Sequence, residues 1–199
     1  MKKLIALCMA VCLMAFSGCG ENSRRAPEAA PEKPVIYLYP EEETMVHVEL
    51  AFNGTMTSTY PAYENGWDVV AKPDGTMIDP ETGREYYCLF WEGVSNVPYD
   101  LSEGFCIPGA DTAAFLEDAL AQLGLTRREA NEFIVYWLPL MEQNAYNLIS
   151  FQWENYDESA KLHIIPEPDN MLRVFMAFKA IDEPIDVPEQ KLPALEREG

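Results

Sequence analysis

Between Thr44 and Phe52 the chain alternates. Val46, Val48, Leu50 and Phe52 fall on one face of an extended segment, and Met45, His47, Glu49 and Ala51 on the other. A period of two predicts a half-buried β-strand, with His47 on its more polar face beside Glu49. VIYLYP, 35–40, is a shorter apolar strand stopped by Pro40, and Glu41, Glu42 and Glu43 form an acidic turn after it. Asn53-Gly54 has hairpin-turn composition, which makes Thr55 to Tyr60 the returning strand. PAYENG, 61–66, reads as a loop and Trp67 to Lys72 as a strand; Asp74-Gly75 and DPETG, 79–83, are turns on either side of a short extended piece, 76–78. REYYCLFWE, 84–92, is apolar on both faces: Tyr86, Cys88 and Phe90 on one, Tyr87, Leu89 and Trp91 on the other. That pattern predicts a central strand covered on both sides.

The period changes after an irregular stretch, 93–109. Asp111 can cap a helix over TAAFLEDALAQLG, with Phe115, Leu116, Ala119, Leu120 and Leu123 as its stripe and Gly124 as its end. Thr126 and Glu129 form a capping box for a second helix, which turns Ala130, Phe133, Ile134 and Trp137 inward and stops at Pro139. Strand patterns return at Ala145 to Trp153, with Ile149, Phe151 and Trp153 on one face, at Lys161 to Ile165, and at Met171 to Ala180, with Leu172, Val174, Met176 and Phe178 inward. Strands, then helices, then strands without a βαβ rhythm predict an α+β fold. We expect a mainly antiparallel sheet, a sandwich-like N-terminal half and a two-helix insertion near residues 111–139. One globular domain is expected over 35–181, and the Pro-rich tail, 182–199, either lies over it or trails away.

Ahead of the domain the pattern is different again. Lys2 and Lys3 precede an uncharged apolar run from Leu4 to Phe16, of signal-peptide length and too short to span a bilayer. Ser17 and Gly18 then precede Cys19. This resembles a bacterial lipoprotein signal, which implies cleavage after Gly18 and a diacylglycerol thioether, with palmitate-class acyl chains, on Cys19; the alternative is an ordinary secretory signal with a bystander cysteine. Two acyl chains suffice for stable anchoring where one does not. Residues 19–34, punctuated by Pro27, Pro31 and Pro34, read as a tether that would hold the domain roughly 45 Å from the membrane. The expected location is the extracytoplasmic side of the cell membrane.

Charge narrows the partners. The chain carries 14 basic and 33 acidic residues, net −19; losing the leader removes two lysines and no acid, leaving −21. Such a surface repels phosphate backbones and anionic headgroups, so we expect no nucleic-acid partner, and membrane attachment through the lipid on Cys19 alone. Solubility accounts for the acidity without any ligand. Once Cys8 and Cys12 leave with the leader and Cys19 is lipidated, only Cys88 and Cys106 remain. They either pair as one disulfide or are small buried hydrophobes; neither sits in a CxxC spacing, so no metal or cofactor is expected.

Four segments together, KPVIYLYPEEE (33–43), GWDVVAKPDGT (66–76), YYCLFWEG (86–93) and NEFIVYWLP (131–139), resemble a family of uncharacterised bacterial lipoproteins. The resemblance implies an envelope location and a single domain. It carries over no activity and no catalytic residue.

Candidate chemistry is sparse. Glu92 ends an aromatic strand, where a general acid can sit; paired with Asp100 or Glu103 it would suit glycoside hydrolysis, although a surface or turn residue at a strand end, beside Gly93, is the better explanation. His47 and His163, the only histidines, lie in separate strands and read as structural or surface residues. Asp74, Asp79, Glu81 and Glu85 crowd around turns; oxygen-rich loops can bind calcium, but the spacing is not an EF-hand and hairpin turns account for it. Tyr60, Tyr63, Trp67, Tyr99 and Trp153 lie in or near loops and offer rings to a sugar, unless they pack as core. Among them Tyr63, Trp67 and Tyr99 are the expected ligand-binding residues. Two functions of different class follow: a non-enzymatic binding module for an envelope glycan or protein, which these residues favour, and an envelope hydrolase using Glu92 with Asp100 or Glu103.

Overall fold

The alternating segment 44–52 becomes a nine-residue strand with Val46, Val48 and Leu50 buried, as its period requires. The structure, a computed structural model, describes residues 35–152, 159–169 and 171–194. Along these the strands are β1 (Val35–Ile36), β2 (Thr44–Phe52), β3 (Gly54–Tyr60), β4 (Trp67–Ala71), β5 (Met77–Ile78), β6 (Glu85–Tyr86), β7 (Leu89–Ser95), β8 (Phe105–Pro108), β9 (Tyr146–Phe151), β10 (Ala160–Ile165) and β11 (Met176–Ile181). Helices α1 (Thr112–Gln122) and α2 (Arg127–Met141) lie between β8 and β9.

The strands make three sheets with antiparallel ladders, ordered β1-β7-β3, β10-β2-β4-β5-β6 and β11-β9-β8. With two helices, this is the α+β fold expected. The first two sheets face each other across one core. Ile36, Leu89 and Trp91 come from one side; Val46, Val48, Leu50, Trp67, Val69, Ala71 and Met77 from the other. That is a sandwich, closed by β10, a strand from late in the chain. The third sheet carries the helices on a separate core of Leu116, Leu120, Leu123, Trp137, Met141, Ile149, Phe151 and Met176.

Several local expectations are corrected. Asn53-Gly54 is not a hairpin turn: β2 pairs with β10 and β4, whereas β3 pairs with β7. Both backbone groups of Asn53 are used elsewhere, its N–H donating to the Ser159 carbonyl at 2.7 Å and its carbonyl accepting from the Asn96 N–H at 3.0 Å. The glycine serves close approach, since a Cβ there would lie 2.3 Å from the Val94 carbonyl oxygen. Gly54→Ala is therefore expected to cost about 1–3 kcal/mol, as overpacking does, read from the urea midpoint.

REYYCLFWE is not one strand covered on both faces. It is the end of one sheet, β6, and the middle of another, β7, with a break at Tyr87-Cys88. Tyr86 packs on the sandwich core from one side, and Leu89 and Trp91 enter it from the other. The doubly apolar pattern thus records a chain crossing the sandwich. The strand buried on both faces is β9, disguised by polar residues: Asn147 and Ser150 are buried in it. Asn147 Nδ2 donates to Thr112 Oγ1 at 3.1 Å and to the Met141 carbonyl at 2.9 Å, which removes the penalty of burying an amide.

Pro139 does not stop α2, which continues to Met141. Pro139 is exposed, and the residue four before it, Val135, is 74% exposed, so the carbonyl freed of its helical bond lies on the side open to water. Cys88 and Cys106 do not form a disulfide with each other. Cys88 sits at the break between β6 and β7, whereas Cys106 lies on β8, where its Sγ accepts from the Ile185 N–H at 3.5 Å. The last extended segment is also shorter than its pattern, since β11 begins at Met176.

The described part of the tail packs on the third sheet. Gly104 N–H donates to the Pro188 carbonyl at 2.9 Å, and the Gln190 side chain takes both backbone groups of Phe151, at 2.8 and 2.6 Å. Leu192 rests on the helical core.

Candidate functional site

The cleft of interest begins with a period of two. Tyr37 and Tyr39, just past β1, project to the same side and stack with ring centroids 6.4 Å apart. Both phenols reach α2. Tyr37 Oη donates to Glu132 Oε2 at 2.5 Å and Tyr39 Oη to Glu129 Oε1 at 3.0 Å. Glu129 and Glu132 are one helical turn apart, so one helix face receives two successive tyrosines of an extended segment. Glu129 is buried, and its Oε2 accepts from the Thr126 N–H and Oγ1, each at 2.8 Å. The capping box expected from the sequence is therefore in place and is also part of the cleft wall.

The opposite wall is the turn after β4. Lys72 N–H donates to the Thr76 carbonyl at 2.8 Å, and Gly75 takes φ +86°, which a side chain adopts only under strain. A Cβ on Gly75 would also lie 2.7 Å from Tyr39 Cε1, so Gly75→Ala is expected to push Tyr39 from its place and to lower stability by about 1–3 kcal/mol, measured by urea unfolding. Asp74 Oδ1 accepts from the Thr76 N–H at 2.9 Å, and that bond holds its carboxyl below the usual carboxylate range. Glu85, Tyr86 and Tyr87 complete the lining, with Arg128, whose Nε lies 3.6 Å from Glu132 Oε1. The volume of this open cleft is about 330 Å³.

Burial, then the hydrogen bond to Glu132 and that group's charge, push the Tyr37 phenol far above its ordinary range. The fold thus keeps this phenol protonated while the unfolded chain ionises it near pH 10. Its contribution is fully present below about pH 10 and is lost as pH rises beyond it. Unfolding midpoints followed between about pH 9 and 11 should fall in the native protein and fall less in Tyr37→Phe.

The residues expected from the sequence lie elsewhere. Glu92 is half-buried on β7, opposite Ser58, and its Oε1 accepts from Thr57 Oγ1 at 3.1 Å. Burial and then the charge of Glu92 raise the Tyr136 phenol, which places Glu92 near α2 but outside the cleft lining. The exposed Asp100 is engaged within its own loop, Oδ1 accepting from the Ser102 N–H at 2.9 Å. Glu103 is exposed beside it. Neither lines the cleft.

Of the three expected ligand-binding residues, Trp67 is buried in the sandwich core, and Tyr63 and Tyr99 are half-buried against it. Trp67 is 3% exposed and meets Tyr63 edge-on at 4.6 Å, its Nε1 donating to the Pro61 carbonyl at 2.9 Å. Tyr63 Oη bridges the backbone of Leu50, and Tyr99 packs on Phe175 at 5.5 Å. Tyr60 remains exposed and packs edge-on against Tyr86 at 5.5 Å, at the margin of the cleft. Cys19 and Trp153 lie outside the described residues.

The histidines decorate the outer face of the five-stranded sheet. His47 Nδ1 lies 2.9 Å from Asp68 Oδ1, and His163 Nδ1 3.9 Å from Glu49 Oε2, each pair directly opposed across a ladder. Asp79 Oδ1 accepts from the Glu81 and Thr82 N–H groups of its own turn at 2.8 and 3.0 Å.

The tyrosine pair was hidden because its residues fall in a strand pattern cut short by Pro40, and its partners lie 95 and 90 positions away. Residues 33–43, 66–76, 86–93 and 131–139 each contribute to this cleft, through Tyr37, Asp74, Tyr86 and Glu132.

No protein-family model matches the chain, and no solved structure matches it. The uncharacterised protein encoded in the bglA 3′ region of Butyrivibrio fibrisolvens is 35% identical over 95 residues, covering 46% of this chain and 96% of that one. The chain belongs to the same family as that Butyrivibrio protein.

Proposed function

We propose that this protein is an exported lipoprotein, anchored through Cys19, whose domain is a non-enzymatic binding module for an envelope glycan or protein, and that the tyrosine-lined cleft is its ligand site. One observation carries the reading. Residues from β1's exit, the turn after β4, the β6 region and α2 meet in a concave site with exposed phenol rings and converging carboxylates, the combination that gives a ligand both contact area and orientation. The leader, residues 1–18, and the tether, 19–34, support the location. The hydrolase reading has less support, because Glu92 accepts from Thr57, Asp100 is held by Ser102, and neither borders the cleft.

Two measurements test the proposal. Cells expressing the protein and fed labelled palmitate should incorporate label into it, and Cys19→Ser should abolish incorporation; label retained in that variant would refute the anchor. For the ligand site, the full-length protein in mild detergent is mixed with insoluble peptidoglycan and other envelope polysaccharides and sedimented. Saturable pelleting is expected, weakened about five- to tenfold in Tyr87→Ala, as for loss of an aromatic anchor. Pelleting that Tyr87→Ala and Tyr39→Ala leave unchanged would remove the cleft from the proposal.

A further inference from the structure

We infer that the ligand of the cleft is a saccharide bearing a protonated amine, a glucosamine-type unit with a free amino group in place of the acetamide; the inference rests on the reading of the cleft as a ligand site.

The lining carries four carboxylates, Asp74, Glu85, Glu129 and Glu132, against one guanidinium, Arg128, and Arg128 already lies against Glu132. A helix N-terminus ordinarily favours an anion. Here that place is taken by the Glu129 carboxylate, which closes the capping box from inside the cleft wall. An anionic ligand would therefore meet net negative charge where a helix end usually welcomes it.

Hydrogen-bond direction points the same way. The Tyr37 phenol commits its proton to Glu132, so its oxygen can only accept from a ligand. Ionised carboxylates accept only. The carboxylates of Asp74, Glu85 and Glu132 are matched by a group with several donors and no lone pair, and an ammonium has three donors. An acetamide offers one N–H and adds a carbonyl that these oxygens would repel.

The saccharide is favoured over a basic peptide by shape. The sheet edge beside the cleft is β6, two residues long, too short to pair with an extended peptide. The exposed faces of Tyr39 and Tyr87 suit a flat sugar ring, and about 330 Å³ is at the small end of ligand sites.

The test titrates the full-length protein, in mild detergent at about 0.15 M salt to suppress long-range attraction to its acidic surface, with three probes. These are a glucosamine tetrasaccharide, its fully N-acetylated counterpart and tetralysine. The inference expects the glucosamine probe to bind at least tenfold more tightly than either other probe. Glu132→Gln should weaken it about tenfold, the size of a lost charge-assisted hydrogen bond, and exposed Glu85→Gln should weaken it in the same direction without risk to the fold. Glu167→Gln, outside the lining, should leave it unchanged. Equal or tighter binding of the N-acetylated probe would overturn the amine while leaving the cleft a glycan site. Tetralysine binding as tightly would overturn the saccharide. If no probe binds, or if neither Glu132→Gln nor Glu85→Gln weakens binding, the inference falls, and sedimentation with envelope material separately decides the reading beneath it.

Discussion

Trp91→Ala should lose about 3–5 kcal/mol of stability, a large share of the 5–15 kcal/mol that holds an ordinary domain together. Trp91 is 1% exposed and sits on the strand to which both β1 and β3 pair. Its indole meets the ring of Phe52 at 4.7 Å and 61°. Phe52 lies in turn over two glycines: a Cβ on Gly54 or Gly93 would come within 2.6 or 2.5 Å of its ring. The aromatic pair therefore fills space that the backbone has been kept bare to provide, and truncating the indole removes one wall of it. The expected result is a large drop in urea midpoint with an unchanged slope. Trp91→Phe, which keeps a ring, should lose markedly less. A loss below about 1 kcal/mol in Trp91→Ala would mean that the sandwich core does not depend on this strand.

Glu129→Ala should cost about 2–3 kcal/mol, combining the loss of a helix cap with the loss of a hydrogen bond from Tyr39 to a charged acceptor. The carboxylate is buried, so its two oxygens depend on these protein donors where an exposed one would turn to water. Glu129→Gln keeps an acceptor for Tyr39 and can still close the capping box, so it should retain most of the stability while lowering the charge of the cleft. Comparing Glu129→Ala, Tyr39→Phe and the double variant by urea unfolding gives the coupling between the two residues. Independent, additive losses would show that the helix cap and the cleft are separate features that merely share a side chain.

What the sequence foretold, and what it did not, divides along the range of the interactions involved. The strand 44–52, the helix stripe of Leu116, Ala119 and Leu120, and the Thr126–Glu129 box depend on neighbours within a few positions, and all three are found as their spacing predicts. The Asn53-Gly54 turn failed because a glycine demanded by the approach of Val94 looks the same in sequence as one demanded by a hairpin. REYYCLFWE misled because two half-strands facing one core from opposite sheets sum to a doubly apolar pattern. Trp67 and Tyr63 flank a loop in the sequence, yet the loop folds back, which buries Trp67 and leaves Tyr63 half-buried against the core. The cleft was least legible, since Tyr37 and Glu132 lie 95 positions apart and no local pattern links them.

The pairing of β10 with β2 matches Phe52 with Ala160 and His47 with Ile165. Nearly the whole domain must therefore leave the ribosome before the sandwich can close. Contacts so distant in sequence are reached slowly, because the intervening chain must be ordered before they form. Until residues 160–165 are made, β2 lacks its neighbour on that edge. Slow closure of this kind leaves the edge of β2 without its partner for longer than a hairpin neighbour would.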